Sequence, residues 1–239
     1  MAREHLDRAS GRQRWMTSFS DPMAVSGYAE GTARIVPGLR DLHRMACVLL
    51  AECAPSDARI LVLGAGGGLE LKVFAEMQPG WQFDGVDPSA EMLELARTIL
   101  GPVASHVHLH EGYIDAAPKG PFDGAPCLLT LHFLPPAERL RTLQEMRQRL
   151  KPGAPLVVAH HSYPSEDPVR DRWLSRNAAF AAASGVPVRQ AKGSIAAIKE
   201  RLPVLSPAQD VDLLREAGFT DIDLFYCAFT FKGWVAHRA

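Results

Sequence analysis

The chain predicts an α/β fold, an open and mostly parallel sheet with helices on both faces. Two observations carry this. Short apolar runs alternate with longer segments whose apolar residues recur at helical spacing. The stretch Arg59–Glu70, RILVLGAGGGLE, reads as a strand, a glycine-rich turn and the start of a helix, and the next apolar run, QFDGVD, ends on the carboxylate of Asp87.

Residues 1–36 are polar, with Trp15, Phe19 and Tyr28 dispersed among them, and read as an irregular or partly helical arm. One domain follows over 37–239. Pro37 opens a helix carrying Leu39, Leu42, Met45, Ala46, Leu49 and Leu50 at helical spacing, ended near Pro55. The first strand is Arg59–Leu63, and a helix runs from Leu69 to about Met77. The second strand is Gln82–Val86. Pro88 sits early in the next helix, where its missing N–H costs least. Ser105–His110 is the third strand and Asp123–Thr130 the fourth. A helix over Ala137–Leu150 leads to a fifth strand, Pro155–His160. Residues 161–206 break the alternation with prolines, alanines and charges, and read as a helical insert over the ligand-binding edge. Pro207–Ala217 is the last main helix, stopped by Gly218. Asp221–Cys227 and Phe229–His237 close the chain as a hairpin.

A length of 239 residues suits one domain with a decorating insert. A net charge of −1 creates no field to attract a polyanion, so direct nucleic-acid binding is disfavoured. No run approaches the roughly 18 apolar residues of a membrane span. The opening MAREHLDRASGRQRW has no apolar signal core. A cytoplasmic protein without membrane attachment is therefore expected, and a homodimer is compatible with the chain. Cys47, Cys53, Cys127 and Cys227 lie at scattered spacings in apolar segments and read as reduced, buried thiols.

The glycine turn is the centre of the functional reading. Gly64, Gly66, Gly67 and Gly68 tolerate positive φ and let a ligand lie against bare backbone. Ligands of open α/β sheets bind at the carboxyl ends of the strands. A carboxylate there, Asp87, accepts hydrogen bonds from both hydroxyls of a ribose. The pair predicts an adenosine-type cofactor. Capping of the following helix is a compatible role for Asp87.

The dinucleotide fingerprint G-x-G-x-x-G would need glycine at 69, which is Leu69; the pattern present is G-x-G-x-G. Together with Asp87, FDGAPCLLTLHFL (Phe122–Leu134) and LKPGAPLVV (Leu150–Val158), the chain resembles the class I S-adenosylmethionine-dependent methyltransferases from about Pro37 onward. A generic nucleotide-binding α/β domain is the competing reading. The resemblance implies a Rossmann-like sheet of seven strands, the last antiparallel, and S-adenosylmethionine as cofactor. It places the methionine tail and ribose on Gly64, Ala65, Gly66 and Gly68, and the diol on Asp87, with Pro88 beside it. Met92 would pack on adenine, or serve as a core residue. Tyr113 and Ile114 stand where the family has an acid–hydrophobe pair at the adenine edge, and Val62 where an acid is often found in the first strand.

A sulfonium already activates the methyl, so alignment of nucleophile, methyl and sulfur carries most of the chemistry. Candidate proton acceptors are His161 and Tyr163, after the fifth strand, and His132, at the end of the fourth. His106, His108 and His110 share one face of the third strand. A solvated row is favoured over zinc ligation, and no metal is assigned. Pro126–Cys127 is similar to the nucleophile dipeptide of cytosine-C5 methyltransferases, but lies within an apolar strand and reads as an inert thiol. NAAFAAASG (Asn177–Gly185) reads as a packing helix.

Three segments, RIVPGLRDLHRM (Arg34–Met45), TLHFLPPAER (Thr130–Arg139) and LREAGFTDIDLFYCAFTFKGWVA (Leu214–Ala236), resemble one branch, the carboxy-S-adenosylmethionine synthases of tRNA wobble-uridine modification. Leu39 and Leu128 stand where that branch has a cofactor-contacting Tyr and Asn. Its carboxylate-holding arginine has no clear counterpart: Lys192 aligns there, with Arg189 and Arg201 nearest, while Arg34 matches an arginine of the branch. A carboxylate is held best by a bidentate guanidinium. The expected function is methyl transfer to a small-molecule acceptor, with the arm and the insert covering the pocket and Trp15, Tyr28 and Trp173 as apolar walls. The alternatives are the synthase reaction, with prephenate as the second substrate, and a non-catalytic cofactor-binding relative.

Overall fold

The computed structural model describes residues 27–239. Its strands are β1 (Arg59–Leu63), β2 (Gln82–Asp87), β3 (Val107–Glu111), β4 (Ala125–Leu128), β5 (Pro155–His161), β6 (Phe219–Ala228) and β7 (Phe231–Arg238). Between and before them lie helices α1 (Tyr28–Ile35), α2 (Leu39–Ala51), α3 (Leu69–Met77), α4 (Ala90–Leu100), α5 (Pro136–Arg149), α6 (Val169–Ala183), α7 (Val188–Arg201) and α8 (Pro207–Glu216). The expected β/α alternation is present, and the 161–206 segment is helical. Trp15 and Phe19 of the expected arm lie outside the described residues.

The strands hydrogen-bond in the orders β1-β2-β3 and β4-β5-β7-β6, with β7 antiparallel to both neighbours. The expected single seven-stranded sheet is thus corrected to two ladders, of three and four strands, abutting along β1 and β4. Among the described residues a single parallel bridge, Ile60–Gly124, crosses the seam, with Leu61 N–H donating to the Gly124 carbonyl at 3.1 Å and Asp123 N–H donating to the Arg59 carbonyl at 2.9 Å. Two residues on, the next position of β4 that would face β1 is Pro126, which has no N–H to donate. Proline in a central strand ends the ladder there.

Alternate residues of the central strands feed two cores. Ile60, Val62, Val157 and Ala159 face α2 and α3, with Leu42, Leu50, Leu71 and Phe74. Leu61, Leu63, Leu156 and Val158 face α5 and α8, with Leu143, Met146 and Leu214. The Ser206 hydroxyl and Gln209 cap the start of α8 reciprocally, with Pro207 in its first turn.

The α6–α7 pair has a small alanine core of its own, Ala178, Ala181 and Ala191. It is pinned at its base, where Leu205 O accepts from Tyr163 N–H at 3.2 Å. The helix after β2 is capped by Ser89, whose side chain accepts from Met92 N–H, so Pro88 precedes the helix. The thiols also differ from expectation: all four are free, but only Cys47 and Cys127 are buried, while Cys53 and Cys227 lie at exposed positions. Among the described residues no helix is long and apolar enough to cross a membrane.

Candidate cofactor site

A cavity of about 610 Å³ opens where β1 and β4 part. The strand order turns in opposite directions from this seam, which makes it the topological switch point at which α/β sheets bind ligands. The volume lies within the roughly 300–1,000 Å³ of small-molecule sites.

The floor is the glycine turn. Gly64 and Ala65 N–H both donate to the Val86 carbonyl, at 2.8 and 3.0 Å, binding the turn to the end of β2. Gly64 has φ +77°, and a Cβ there would stand 1.9 Å from Thr130 Oγ1. Thr130 in turn donates to Leu128 O at 3.0 Å. The two strand ends therefore meet side chain to bare backbone. Leu129, beside Thr130, holds φ +57°, a conformation non-glycine residues adopt only when their surroundings impose it.

Gly64→Ala is expected to lose more stability than Gly153→Ala. Gly153 also has positive φ, +75°, but nothing within 4 Å of an added Cβ. The Gly153 variant should cost about 1–2 kcal/mol from the left-handed backbone alone. The Gly64 variant should cost about 1–3 kcal/mol more from overpacking. Urea unfolding of both variants measures the difference.

Asp87 joins the turn to the next helix. Its Oδ2 accepts from Gly66 N–H at 2.9 Å and its Oδ1 from Ser89 N–H at 2.9 Å. Burial pushes its carboxyl above the ordinary value, against the pull of the Ser89 and Gly66 amides. Tyr28 of α1 covers the same turn: a Cβ on Gly66 would lie 3.2 Å from its hydroxyl, and one on Gly67 would lie 3.0 Å from its ring. Burial first, then Glu70 and Asp87, push the phenol well above its usual range.

The structure brings Gly64, Gly66, Asp87, Pro88, Met92, Tyr113, Ile114 and Leu128 together on the cavity wall, and keeps Ala65 and Gly68 behind it. Leu129, Thr130, Phe133, Leu134, Ala137, Glu138, Arg141 and Thr142 form the far wall. Sequence reasoning missed this wall except for Leu128. Its only local signal was the break of the apolar run at Thr130. Arg141 is committed to Asp115 at 2.5 Å. Arg34, Arg189, Lys192 and Arg201 do not line the cavity, and Arg34 pairs with Glu30 at 3.3 Å.

The three proton-acceptor candidates lie outside that wall. His132, His161 and Tyr163 are all buried. His161 stacks on Phe231 with centroids 4.0 Å apart, its Nδ1 is 3.0 Å from Thr230 Oγ1, and its backbone N–H donates to His132 Nδ1 at 3.4 Å. Burial and then His160 lower the His161 pKa to about 3, which makes it a weak base. His132 is lowered well below the usual range, by burial first. His161 turns inward because β5 is buried over its whole length, so its carboxyl end carries no solvent-facing side chain. The expectation that the 161–206 insert and Trp173 cover the pocket is also corrected. Among the described residues none of the insert lines the cavity; α6 packs instead near α1, which carries Tyr28, and Trp173 lies under Arg176 and Lys232.

Outside the site, His110 Nε2 lies 2.7 Å from Asp84 Oδ1, so the histidine row on β3 is only partly solvated. Cys127 is buried, and burial, with Glu70 next, pushes its thiol well up, as an inert cysteine requires.

Residues 60–153 match a family model described as a methyltransferase domain. The chain is 24% identical to the carboxy-S-adenosyl-L-methionine synthase of Aeromonas salmonicida, across 92% of this chain and 90% of that protein. Among solved structures, it superposes on a Nostoc punctiforme protein described as an O-methyltransferase with a TM-score of 0.61 at 22% identity, over 82% of this chain and 55% of that one. Human N-acetylserotonin methyltransferase in complex with S-adenosylmethionine gives a TM-score of 0.58 at 16% identity, over 82% of this chain and 51% of that one. The chain thus spans little more than half the length of these two solved proteins.

Proposed function

We propose that this chain, whose residues 60–153 match the methyltransferase-domain model, is an S-adenosylmethionine-dependent methyltransferase and that it methylates a small molecule bound against the far wall of the cavity. The observation that carries this is the Asp87 carboxylate, hydrogen-bonded to Gly66 N–H at 2.9 Å and lining a cavity of about 610 Å³. A bare glycine backbone beside an acid at a switch point fits a nucleoside with a zwitterionic tail.

Bound there, S-adenosylmethionine supplies an activated methyl group. Asp87 would hold the ribose diol, Gly64 and Gly66 would admit the tail, and Pro88, Met92, Tyr113 and Ile114 would enclose the adenine. The acceptor would rest on Leu128, Thr130, Phe133, Leu134 and Thr142, whose apolar surfaces exclude water. His132 and His161 would act as positioning residues: they tie the turn after β4 to the end of β5. Alignment is then the main contribution of the chain. Reduced thiols and the absence of a membrane-spanning helix among the described residues suit a cytoplasmic setting.

Asp87→Ala is expected to weaken cofactor binding by about 1.5–3 kcal/mol, the worth of hydrogen bonds to a charged group. Calorimetry on the folded variant measures it, and unchanged affinity would sink the placement of the ribose. Transfer of a labelled methyl to small-molecule extracts tests the reaction.

A second reading follows from the curated relatives, which match this chain over nearly its full length and are carboxy-S-adenosyl-L-methionine synthases. Against it, the one arginine on the described cavity wall is already paired with Asp115. Incubation with S-adenosylmethionine and prephenate separates the two: a carboxyl-group mass gain on the cofactor supports the synthase, and unchanged cofactor supports the methyltransferase.

A further inference from the structure

One buried hydroxyl on the far wall of the cavity is unpaired. Thr32 and Thr98, which also lie in helices, donate to the carbonyl four residues earlier, at 2.8 and 3.2 Å. Thr130 donates to Leu128 O at 3.0 Å, Thr220 pairs with Asp221 and Thr230 with His161. Thr142 makes no hydrogen bond among the described residues, although it is only 6% exposed. Its oxygen is not among the polar atoms sealed inside the protein. The open space it meets is therefore the cavity that Thr142 lines. Ala137, Glu138, Arg141 and Thr142 share one face of α5 at helical spacing, and Thr142 is the buried end of that face.

The rest of the wall narrows what can meet this hydroxyl. Leu128, Phe133 and Leu134 give it an apolar surface. Its one guanidinium among the described residues, Arg141, is committed to Asp115 at 2.5 Å. Resting on the methyl-transfer reading above, we propose that Thr142 is the specificity-determining residue of the acceptor site. The acceptor it selects is an uncharged molecule with an apolar body and one hydroxyl or carbonyl group, which bonds to the Thr142 hydroxyl. A threonine hydroxyl both donates and accepts, so either group satisfies it. A ligand that dries this wall without such a group leaves a buried hydroxyl unpaired, and the site rejects it for that reason. The same bond fixes how the acceptor is turned toward the methyl group.

The test uses protein saturated with S-adenosylhomocysteine, the demethylated cofactor, and three probes. These are 4-ethylphenol, 4-ethyltoluene, in which a methyl replaces the hydroxyl, and the anion 4-ethylbenzoate. Ligand-observed NMR titration gives each affinity. The wild type should bind the phenol and discriminate against the benzoate. Thr142→Val keeps the side chain's shape and removes its oxygen, so it should lower the phenol-to-toluene affinity ratio about 2–10-fold. Thr142→Ser should restore the ratio. The valine variant should keep the wild-type affinity for S-adenosylhomocysteine, and its urea midpoint should not fall, because no hydrogen bond within the protein is lost. An unchanged ratio, a lowered midpoint, or benzoate bound as tightly as the phenol would overturn the proposal, as would a wild type that takes S-adenosylhomocysteine but not the phenol. Weaker S-adenosylhomocysteine binding by Thr142→Val would overturn it too, by assigning the hydroxyl to the adenine. A wild type that does not bind S-adenosylhomocysteine would instead overturn the cofactor reading on which the proposal rests. Should Thr142→Val fail to fold, Thr142→Ala against Thr142→Ser makes the same comparison, and equal ratios in that pair would overturn the proposal.

Discussion

Replacing Arg139 by methionine should cost about 3–5 kcal/mol of folding stability, the usual consequence of stripping one partner from a buried ion pair. Arg139 and Asp210 are 1% and 2% exposed, and their Nη1–Oδ1 distance is 2.6 Å. Burial pushes the Asp210 carboxyl up, but His160, Arg139 and Ser162 overcome it and hold the pKa below the ordinary value. Arg139 Nη2 also donates to the Pro203 carbonyl at 3.0 Å. One side chain thus joins α5, α8 and the end of the insert. The neighbours of Arg139 on α5, Ala137, Glu138, Arg141 and Thr142, form part of the cavity wall, so the same substitution should also loosen ligand binding. The double variant Arg139→Met/Asp210→Leu should recover part of the lost stability, because Asp210 is no longer left as an unpaired buried carboxylate, while His160, 3.2 Å from it, loses that partner. Urea midpoints of the single and double variants test this. Equal losses in both would mean that packing, not charge, is what the pair supplies.

Acid should unfold the protein well above the range in which carboxylates titrate. His43, His132 and His161 are buried, and burial lowers all three: His161 to about 3, His43 to about 4 and His132 well below the usual range. A folded-state pKa below the unfolded value of 6.5 means that the unfolded chain takes up the extra proton. The stability these residues support is therefore complete above about pH 6.5 and is lost as pH falls toward 4 and 3. Between pH 6.5 and about pH 5 each histidine should cost about 2 kcal/mol, while Glu70, whose buried carboxyl is pushed up to about 8, returns about 2 kcal/mol over the same window, which leaves a net loss of about 4 kcal/mol. That is comparable with the roughly 5–15 kcal/mol total of an ordinary domain. Unfolding midpoints across this range measure the slope. His43→Leu, at a site remote from the other two in the chain, should remove about half of it. A flat profile down to pH 5 would show that these rings reach solvent.

Much of the fold was legible because its signals are local. The five-residue run Arg59–Leu63, the glycine turn and the helix from Leu69 each follow from residues adjacent in the chain, and the structure places them where the pattern did. So do the insert's helices and the closing hairpin. The near half of the cavity was equally legible, because Gly64, Gly66 and Asp87 lie on consecutive units of one β/α/β segment. The far half was not. Thr130 meets Gly64 across the seam between two ladders, and Tyr28 reaches Gly66 from outside the sheet. No periodicity encodes either contact.

The chain by itself determined an α/β scaffold, an acid at the end of the second strand and a turn bare enough for a nucleoside, since backbone conformation and side-chain alternation are set by near neighbours. Tertiary structure alone decided which way buried polar groups face. It turned His132 and His161 toward each other and away from the cavity, left Glu70 without a cation among the described residues, exposed Cys53 and Cys227, and let Pro126 divide the sheet. These outcomes depend on which distant residues share a burial site. There the cost of desolvating a polar group, and not its intrinsic propensity, selects its partner.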